Sequence, residues 1–467
     1  MGKWHEVVNI SKISLLIFLT LINFIIFLDR GVLASVLTTL GNPMENNVKN
    51  STISIDAVNS TTNETSYSNS TTTEQTHPGL GLSEIEQGAI GSIFMLGFMV
   101  AGPFFAYYSQ VVHPLFLIAL GLSIWGISCL ATGLSTLFWQ ICVARGFSGI
   151  GEASFVCLAP PFILDNAPKK RKTIWIAVYY SAIALGYAIG YIFGNAINNS
   201  FGGWYWPFYF ESIFVIPFIL LAFFSHKDPK MIATRKHKDT EQIIPLSQQF
   251  KELAVNPVFV FITLGFTSFV FTLGALSYWA PTLIEKIYNT STSTANNIIG
   301  GITLFSGIFG TLLGSALLDF IVKRKAHVHG LSEKKKEKII RHTYIEYANM
   351  ILTFTTLVGC ICALAGTIIG EFWFFISGVA VGEFCIFLSK GPVAMALMNS
   401  VPDDLRGQAN AVAIFFMHLL GDFPSPYVVG WIFELYSYES GAFLTYSWLL
   451  WSVIFWGIAW NISVSFI

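Results

Sequence analysis

Long apolar stretches dominate this sequence and restrict what it can fold into. A bilayer crossing needs roughly 20 predominantly apolar residues. Segments that meet this requirement lie near residues 13–40, 86–108, 114–134, 137–163, 173–197, 205–225, 257–281, 296–321, 344–368, 372–399, 408–433 and 442–466. Only 11% of the 467 residues are charged, whereas soluble globular domains carry about 25%. We therefore expect an all-α polytopic membrane protein, and we exclude a soluble enzyme and a nucleic-acid-binding protein.

A polar interruption divides these apolar segments into six and six. We predict an N-terminal six-helix bundle over residues 1–225, a cytoplasmic linker over 226–256 and a C-terminal six-helix bundle over 257–467. The halves also share a spacing, because Gly-Glu is followed nine residues after the Glu by Pro at 151–161 and again at 382–392. Two similar halves around a linker are typical of transporters built from parallel repeats.

Basic residues concentrate in the loops on one side of the predicted membrane. The loops at 169–172, 227–238, 323–325 and 334–338 are rich in Lys and Arg, as is usual for cytoplasmic loops. We therefore expect a multi-pass membrane protein with both its N-terminus and its C-terminus in the cytoplasm.

The loop between the first two apolar segments, residues 41–83, lies on the opposite side. It is rich in Asn, Ser and Thr and carries four N-x-S/T sequons, at Asn50, Asn59, Asn63 and Asn69. These sequons predict a glycosylated outer loop, which suits a plasma-membrane or endolysosomal protein. The alternative is a low-complexity spacer. Two further sequons fall in loops that the charge pattern also places outside, at Asn198 and Asn289.

Ionisable residues within the apolar segments are candidates for the functional site, because each costs at least about 2.5–3.5 kcal/mol at the bilayer centre. The candidates for substrate or proton binding are Asp29, Arg30, Arg145, Glu152, Glu383, His418 and Asp422. Arg145 and Glu152 are seven residues apart, so both lie on one helix face two turns apart. The same spacing separates Glu383 from Lys390.

The roles of these residues admit alternatives. We predict that Glu152 couples transport to protons, because it lacks a matching basic neighbour at its own depth and a low-dielectric surrounding favours its protonated form. Asp29 and Arg145 either join it in the site or form a charge pair that only permits membrane insertion. His418 either titrates in an acidic compartment or packs as a neutral side chain.

Other residues are predicted to act as gates or hinges. Asp319 and Arg324 lie where the eighth segment meets a basic cytoplasmic loop. Hinges are expected where proline or glycine weakens a helix, at Pro161, Gly186, Gly421, Pro424 and Pro426. A broken helix at bilayer depth survives only where protein covers it or where it lines a cavity. We therefore expect the eleventh segment to face the transport path.

Two motifs resemble signatures of the Spinster family of the major facilitator superfamily. Residues 145–154 read RGFSGIGEAS, similar to the pattern R-x-x-x-G-x-G-E-A-S, and residues 418–426 read HLLGDFPSP, similar to H-L-L-G-D-x-x-S-P. Asp29-Arg30 resembles the first-span pair of that family, and Gly382-Glu383 resembles its tenth-span motif. The resemblance fails at residues 106–111, where AYYSQV stands in place of G-Y-x-x-D-R.

The resemblance implies a single-chain, monomeric carrier with the major facilitator fold, in which twelve transmembrane helices form two pseudo-symmetric bundles that work by alternating access. It implies an amphiphilic lipid substrate, a lysophospholipid or a sphingoid phosphate, with proton linkage as in lysosomal members. By position, Asp29, Arg145 and Glu152 would form the polar core of the N-terminal half, and His418 and Asp422 would lie on the facing helix.

Two rival functions stand beside this one. A carrier of the same fold could move a small organic anion or metabolite, with Arg145 and Lys390 as anion receptors. Lys390 could instead extend its ammonium group to the cytoplasm. A non-transporting receptor could also keep the fold. An enzyme is not expected, because the sequence shows no catalytic or metal-ligand constellation, and no cofactor is expected other than a coupling proton.

Overall fold

The computed structural model describes residues 12–43, 78–109, 112–168, 172–225, 246–325, 333–402 and 405–465. Within these ranges all regular structure is helical, and 12 helical segments are long and apolar enough to cross a membrane. This confirms the predicted all-α architecture. We number these segments span 1 to span 12 in chain order.

The N-terminal half contains spans 1 to 6. Their bounds are Lys12–Gly41, Glu84–Tyr108, Pro114–Leu134, Phe138–Asn166, Lys172–Phe201 and, for span 6, Trp206–Phe214 continued by Ile216–Ser225. Local sequence explains two of these starts. Ser83 caps span 2 in a capping box with Glu86, and Pro114 occupies the first turn of span 3, where its missing N–H costs no helical bond.

The C-terminal half contains spans 7 to 12 and follows a short helix, Leu246–Val255. Spans 7, 9 and 10 are Pro257–Tyr288, Glu333–Ile369 and Phe372–Asn399. Span 8 comprises Thr292–Phe305, a π-helical turn Ser306–Gly310 and Thr311–Lys325. Span 11 comprises Arg406–Met417, a π-helical turn His418–Asp422 and Pro424–Leu435, and span 12 comprises Tyr438–Ser447 and Leu449–Ser465.

Spans 1 and 5 pack closely along glycines of span 5. A Cβ atom at Gly190 would collide with the carbonyl oxygen of Leu28, and one at Gly186 would lie 2.7 Å from the carbonyl oxygen of Phe24. Such small-residue contacts let transmembrane helices approach closely. Span 5 is helical throughout at Gly186. Gly186, for which we predicted a hinge, is therefore a close-packing position in this structure.

The predicted break in span 11 is confirmed. Residues His418–Asp422 form a π-helical turn in which the N–H of Phe423 donates to the carbonyl oxygen of His418, and the α-helix resumes at Pro424. Pro424 and Pro426 have no N–H to donate, so regular helical bonding cannot continue through this point. The π-helical turn in span 8 was not predicted, because no proline marks it in the sequence.

The two halves are joined at one side of the molecule. We define the loop side as the span ends that adjoin residues 41–83, and the linker side as the span ends that adjoin residues 226–256. On the loop side the hydroxyl of Tyr438 donates to the Glu84 carboxylate over 2.6 Å. In the described part of the chain, the hydrogen bonds between the halves all lie toward the loop side. The structure is therefore closed on the loop side.

Candidate functional site

Asp29 of span 1 and Arg145 of span 4 form a buried ion pair in the N-terminal half. Both guanidinium Nη atoms of Arg145 donate to the carboxylate, each over 2.8 Å. Asp29 is 0% exposed and Arg145 is 1% exposed. A bidentate pair of this kind is among the strongest charge-assisted hydrogen bonds. The charge pair considered from the sequence is therefore formed.

Arg30 and Glu152 form a second ion pair between the same two spans. Our prediction that Glu152 has no basic neighbour at its own depth was wrong. Arg145 and Glu152 are seven residues apart, so their positions differ by about 10 Å along span 4. Neighbouring residues of span 1 point about 100° apart around the helix, and this difference directs Asp29 to Arg145 and Arg30 to Glu152.

Phe94 of span 2 lies between the two arginines. Its ring centroid is 4.9 Å from the guanidinium carbon of Arg30 and 5.3 Å from that of Arg145. Phe27 and Phe208 add one ring face to each arginine, at 4.9 Å and 5.9 Å. Cation–π contacts of this kind are worth about 0.5–2 kcal/mol each. The ring faces thus hold the two guanidinium groups apart in an otherwise apolar bundle.

The glycines of the motif at residues 145–154 determine where Arg145 and Glu152 lie. A Cβ atom at Gly149 would collide with the backbone of span 2 at Phe94, and one at Gly151 would lie 2.5 Å from the carbonyl oxygen of Gly121 in span 3. Span 4 is therefore in backbone contact with spans 2 and 3. This contact leaves the face that carries both ionisable residues directed at span 1.

Glu211 of span 6 is a functional candidate that our sequence reasoning missed. It is 1% exposed, and it lies against the carboxylate of Asp29. One oxygen of each carboxylate and the Sγ atom of Cys129 all lie within 4.8 Å of one another. A signal was present in the sequence, because Glu211 is the one charged residue between 206 and 225.

The C-terminal half contributes four ionisable side chains from spans 10 and 11. The hydroxyl of Thr303 donates to Glu383 over 2.6 Å. The Nζ atom of Lys390 lies 4.4 Å from the ring centroid of Phe387. On the π-helical turn, the Nδ1 atom of His418 and a carboxylate oxygen of Asp422 are 2.9 Å apart, and each side chain is 13% exposed. His418 and Asp422 are thus more exposed than the Asp29–Arg145 pair, and about as exposed as Arg30.

Tyr187 of span 5 connects the two sets of charges. Its hydroxyl interacts with the guanidinium of Arg30, and it also interacts electrostatically with Asp422 across the interface between the halves. Lys390 interacts electrostatically with both Glu383 and Asp422. These interactions relate the Arg30–Glu152 pair to the ionisable side chains of spans 10 and 11. We call the seven predicted binding residues, together with Tyr187 and Lys390, the polar chain.

The predicted gate residues lie apart from this polar chain. The Asp319 carboxylate accepts a hydrogen bond from the hydroxyl of Tyr344 over 3.0 Å, and Arg324 is exposed at the linker-side end of span 8. Pro161 lies inside the helix of span 4, on an exposed face.

Comparison with known proteins identifies the family. A sequence model described as Major Facilitator Superfamily matches residues 19–426. In Arabidopsis thaliana, the probable sphingolipid transporter spinster homolog 2 is 34% identical over 75% of this chain and 70% of its own length. Spinster homolog 1 of the same plant is 32% identical, over 94% of this chain and 87% of its own length. The chain belongs to the Spinster family of the major facilitator superfamily. It is therefore a multi-pass membrane transporter and not an enzyme.

The fold of this Spinster transporter matches solved structures along nearly its whole length. A bacterial homolog of the human lysosomal transporter Spinster, in an inward-facing and unoccupied conformation, has a TM-score of 0.70 at 17% identity, over 97% of this chain and 98% of the other. A D-xylose-proton symporter has a TM-score of 0.63 at 16% identity, over 97% and 98%. These similarities confirm the major facilitator fold of two six-helix bundles.

A side groove lies between spans 8 and 10 of this Spinster transporter. Its volume is about 440 Å³, which is within the range of small-molecule sites. Ile302 of span 8 and Phe384 of span 10 line it. The other lining residues are Gly301, Phe305, Ser306, Ala380 and Val381. The groove is thus almost entirely apolar.

The predicted glycosylation sites have different outcomes. Asn50, Asn59, Asn63 and Asn69 lie outside the described residues. Asn289 is exposed at the end of span 7. Asn198 is only 2% exposed, and its side-chain amide donates to the Thr39 hydroxyl over 3.3 Å. Because a glycan needs an accessible amide, the sequon at Asn198 is not an acceptor in this structure.

Proposed function

We propose that this Spinster transporter moves a single-chain lipid with a phosphate head group, either a lysophospholipid or a sphingoid phosphate, and that its transport is linked to protons. The names of the Arabidopsis relatives support a sphingolipid. The apolar groove between spans 8 and 10 supports a substrate with a long tail. The ionisable side chains of spans 10 and 11 support a charged head.

The observation that carries this proposal is the position of Lys390. Within the described residues its ammonium group takes part in no salt bridge, whereas Arg30 and Arg145 are both paired. Lys390 interacts electrostatically with Glu383 and Asp422 without forming an ion pair with either. A phosphate oxygen is a suitable partner for a lysine ammonium group that forms no ion pair within the protein. Lys390 would therefore bind the head group.

The balance of charge supports proton linkage. The buried network contains three basic side chains, and these face five carboxyl groups, Asp29, Glu152, Glu211, Glu383 and Asp422. An anionic head group would add further negative charge in a low-dielectric region. Proton uptake by carboxyl groups offsets that charge. We propose Glu152 as the coupling residue, because its protonation breaks the ion pair with Arg30 and frees a cation beside the interface.

Alternating access would begin from the arrangement seen here, in which the loop side is closed. Opening that side requires separation of Tyr438 from Glu84 and of Tyr278 from the Gln87 carbonyl oxygen, which are hydrogen-bonded over 2.6 Å and 2.5 Å. We propose that the linker side and both termini face the cytoplasm. We propose a monomer in an endolysosomal or plasma membrane, and the similarity to a bacterial homolog of the human lysosomal transporter Spinster supports the former.

Transport into proteoliposomes tests the substrate. Sphingosine-1-phosphate, lysophosphatidylcholine, sphingosine and a small organic acid are offered separately, with and without a pH gradient. We expect uptake of at least one of the two phosphate lipids and much weaker uptake of sphingosine. Lys390→Gln should lower uptake of the phosphate lipid at least tenfold, whereas Lys286→Gln, at an exposed position of span 7, should not. Uptake of the small acid alone would contradict the lipid proposal.

The same vesicles test the coupling residue. Glu152→Gln keeps the side-chain shape but cannot gain or lose a proton, so lipid exchange should continue while its response to a pH gradient disappears. Glu337→Gln, at an exposed position, is the matched control. An unchanged pH response in Glu152→Gln would remove Glu152 from the coupling mechanism.

A further inference from the structure

Glu211 of span 6 is buried without the partners that a carboxylate needs. It is 1% exposed, and neither of its side-chain oxygens accepts a hydrogen bond within the described part of the chain. A buried, ionised carboxylate in this condition is unfavourable, because it has lost its hydration and has formed no hydrogen bond in its place. The position therefore requires a ligand that supplies positive charge or a hydrogen-bond donor.

The titratable and charged groups around Glu211 come from every span packed against it. Span 1 presents Asp29, with Arg30 next to it in the sequence. Span 3 presents the thiol of Cys129, and span 4 presents Arg145, which interacts electrostatically with Glu211. Span 5 contributes Tyr187, which contacts Arg30 rather than Glu211. Arg145 is thus the nearby cation, and it already uses both Nη atoms on Asp29.

A metal cation does not suit this site. The Asp29 carboxylate, which would have to bind it, accepts a hydrogen bond from Arg145 on each oxygen. The guanidinium would also repel a second cation nearby. A proton is different, because it needs only two oxygens at hydrogen-bonding distance and turns one acceptor into a donor. Two carboxyl groups that face each other can share one proton, because it is unfavourable for both to be ionised so close together.

We propose that Asp29 and Glu211 share one proton and form a proton-binding site distinct from Glu152, an inference that rests on the proposed proton-linked transport. The protonated carboxyl group donates its O–H to the other carboxylate, and Arg145 neutralises the remaining negative charge. One proton thus makes the three side chains neutral together. It also provides Glu211 with the hydrogen bond that it otherwise lacks.

The depth of the pair assigns it a place in transport. Span 4 runs from the loop side at Phe138 toward the linker side at Asn166, so Arg145 lies nearer the loop side than Glu152. The Asp29–Glu211 pair lies at the depth of Arg145. A proton that enters from the loop side, once that side has opened, therefore meets this pair before it reaches Glu152.

Infrared spectroscopy on the purified full chain in lipid nanodiscs tests the proposal, with no transported lipid added. A protonated carboxyl group has a carbonyl stretch that is separate from carboxylate bands and shifts in D2O. At neutral pH we expect such a band in the wild type, in Glu152→Gln and in the exposed control Glu337→Gln. We expect its loss in Glu211→Gln, where the shared proton has no second carboxyl group.

A second variant keeps the test decisive if Glu211→Gln does not fold. In Asp29→Asn, Arg145 is released to pair with Glu211, so the band should also disappear. The proposal is overturned if the band is absent from the wild type, if it persists in both variants, or if sodium chloride titration at constant pH removes it, since a cation would then occupy the site. Because no transported lipid is added, failure of lipid transport leaves this result unaffected.

Discussion

Removal of Arg145 should destabilise the protein far more than removal of its partner Asp29. In Asp29→Asn the guanidinium of Arg145 keeps a nearby counter-ion, because Glu211 lies within reach. In Arg145→Met the cation is lost, and buried carboxyl groups are left without one. The structure therefore predicts that the two members of this ion pair differ in how much their removal destabilises the protein. The cause of the difference is Glu211.

The magnitude follows from burial and distance. Breaking a buried pair by removing one partner costs about 3–5 kcal/mol, which we expect for Arg145→Met. For Asp29→Asn we expect about 1–2 kcal/mol, because one charged hydrogen-bond acceptor is exchanged for another. If Asp29 and Glu211 were both ionised within 4.8 Å, their repulsion at an effective dielectric constant of about 20 would add about 3.5 kcal/mol or more to the cost of Arg145→Met.

The free energy of unfolding is measured by denaturation with sodium dodecyl sulfate in mixed micelles, followed by tryptophan fluorescence. The double variant Arg145→Met/Glu211→Gln should be more stable than Arg145→Met alone, since it removes one of the two carboxyl groups that would be left without a cation. The deficit of Arg145→Met should also shrink at acidic pH, where carboxyl groups take up protons. Equal destabilisation by Asp29→Asn and Arg145→Met, or strict additivity in the double variant, would refute the reasoning.

Three further predictions follow from contacts in the structure. Gly190→Leu should prevent folding, measured as loss of the monodisperse peak in size-exclusion chromatography, because its side chain would collide with span 1, while a leucine at the exposed Gly301 should be tolerated. Tyr438→Phe removes the donor to Glu84 and should raise the fraction of molecules open on the loop side, measured by electron–electron distance spectroscopy between spin labels. Tyr187→Phe should leave lipid exchange within about twofold of the wild type but weaken its pH response; an unaltered pH response would exclude a linking role for this hydroxyl.

The fold was predictable from the sequence because transmembrane helices carry their signal in length and apolarity alone. The π-helical turn in span 11 was predictable as a break, because Pro424 and Pro426 must interrupt backbone bonding wherever they lie. The π-helical turn in span 8 depends on how Ser306–Gly310 packs against neighbouring spans, and no single residue in the sequence predicts it. Local chemistry could therefore be read from the sequence, but packing could not.

The pairing of charges was only partly predictable. The sequence places Arg145 and Glu152 on one face of span 4, but which of them meets Asp29 depends on the rotation of span 1, and the sequence does not encode that rotation locally. Glu211 was missed although it is charged and lies in an apolar segment, since no motif surrounds it. Asn198 shows the opposite failure, because a matching sequon gives no information on burial, and the side chain is 2% exposed.

The two halves hold their charges in different ways, and this difference suggests a division of labour. Asp29, Arg145 and Glu152 are at most 1% exposed and Arg30 is 14% exposed, and all four are held in ion pairs within one bundle. His418 and Asp422 are 13% exposed and lie on a π-helical turn that prolines prevent from becoming regular helix. The π-helical turn is the less regular backbone, so span 11 is the element that should move. Protonation in the rigid half can reach it only through groups at the interface, and Tyr187, between Arg30 and Asp422, occupies that position.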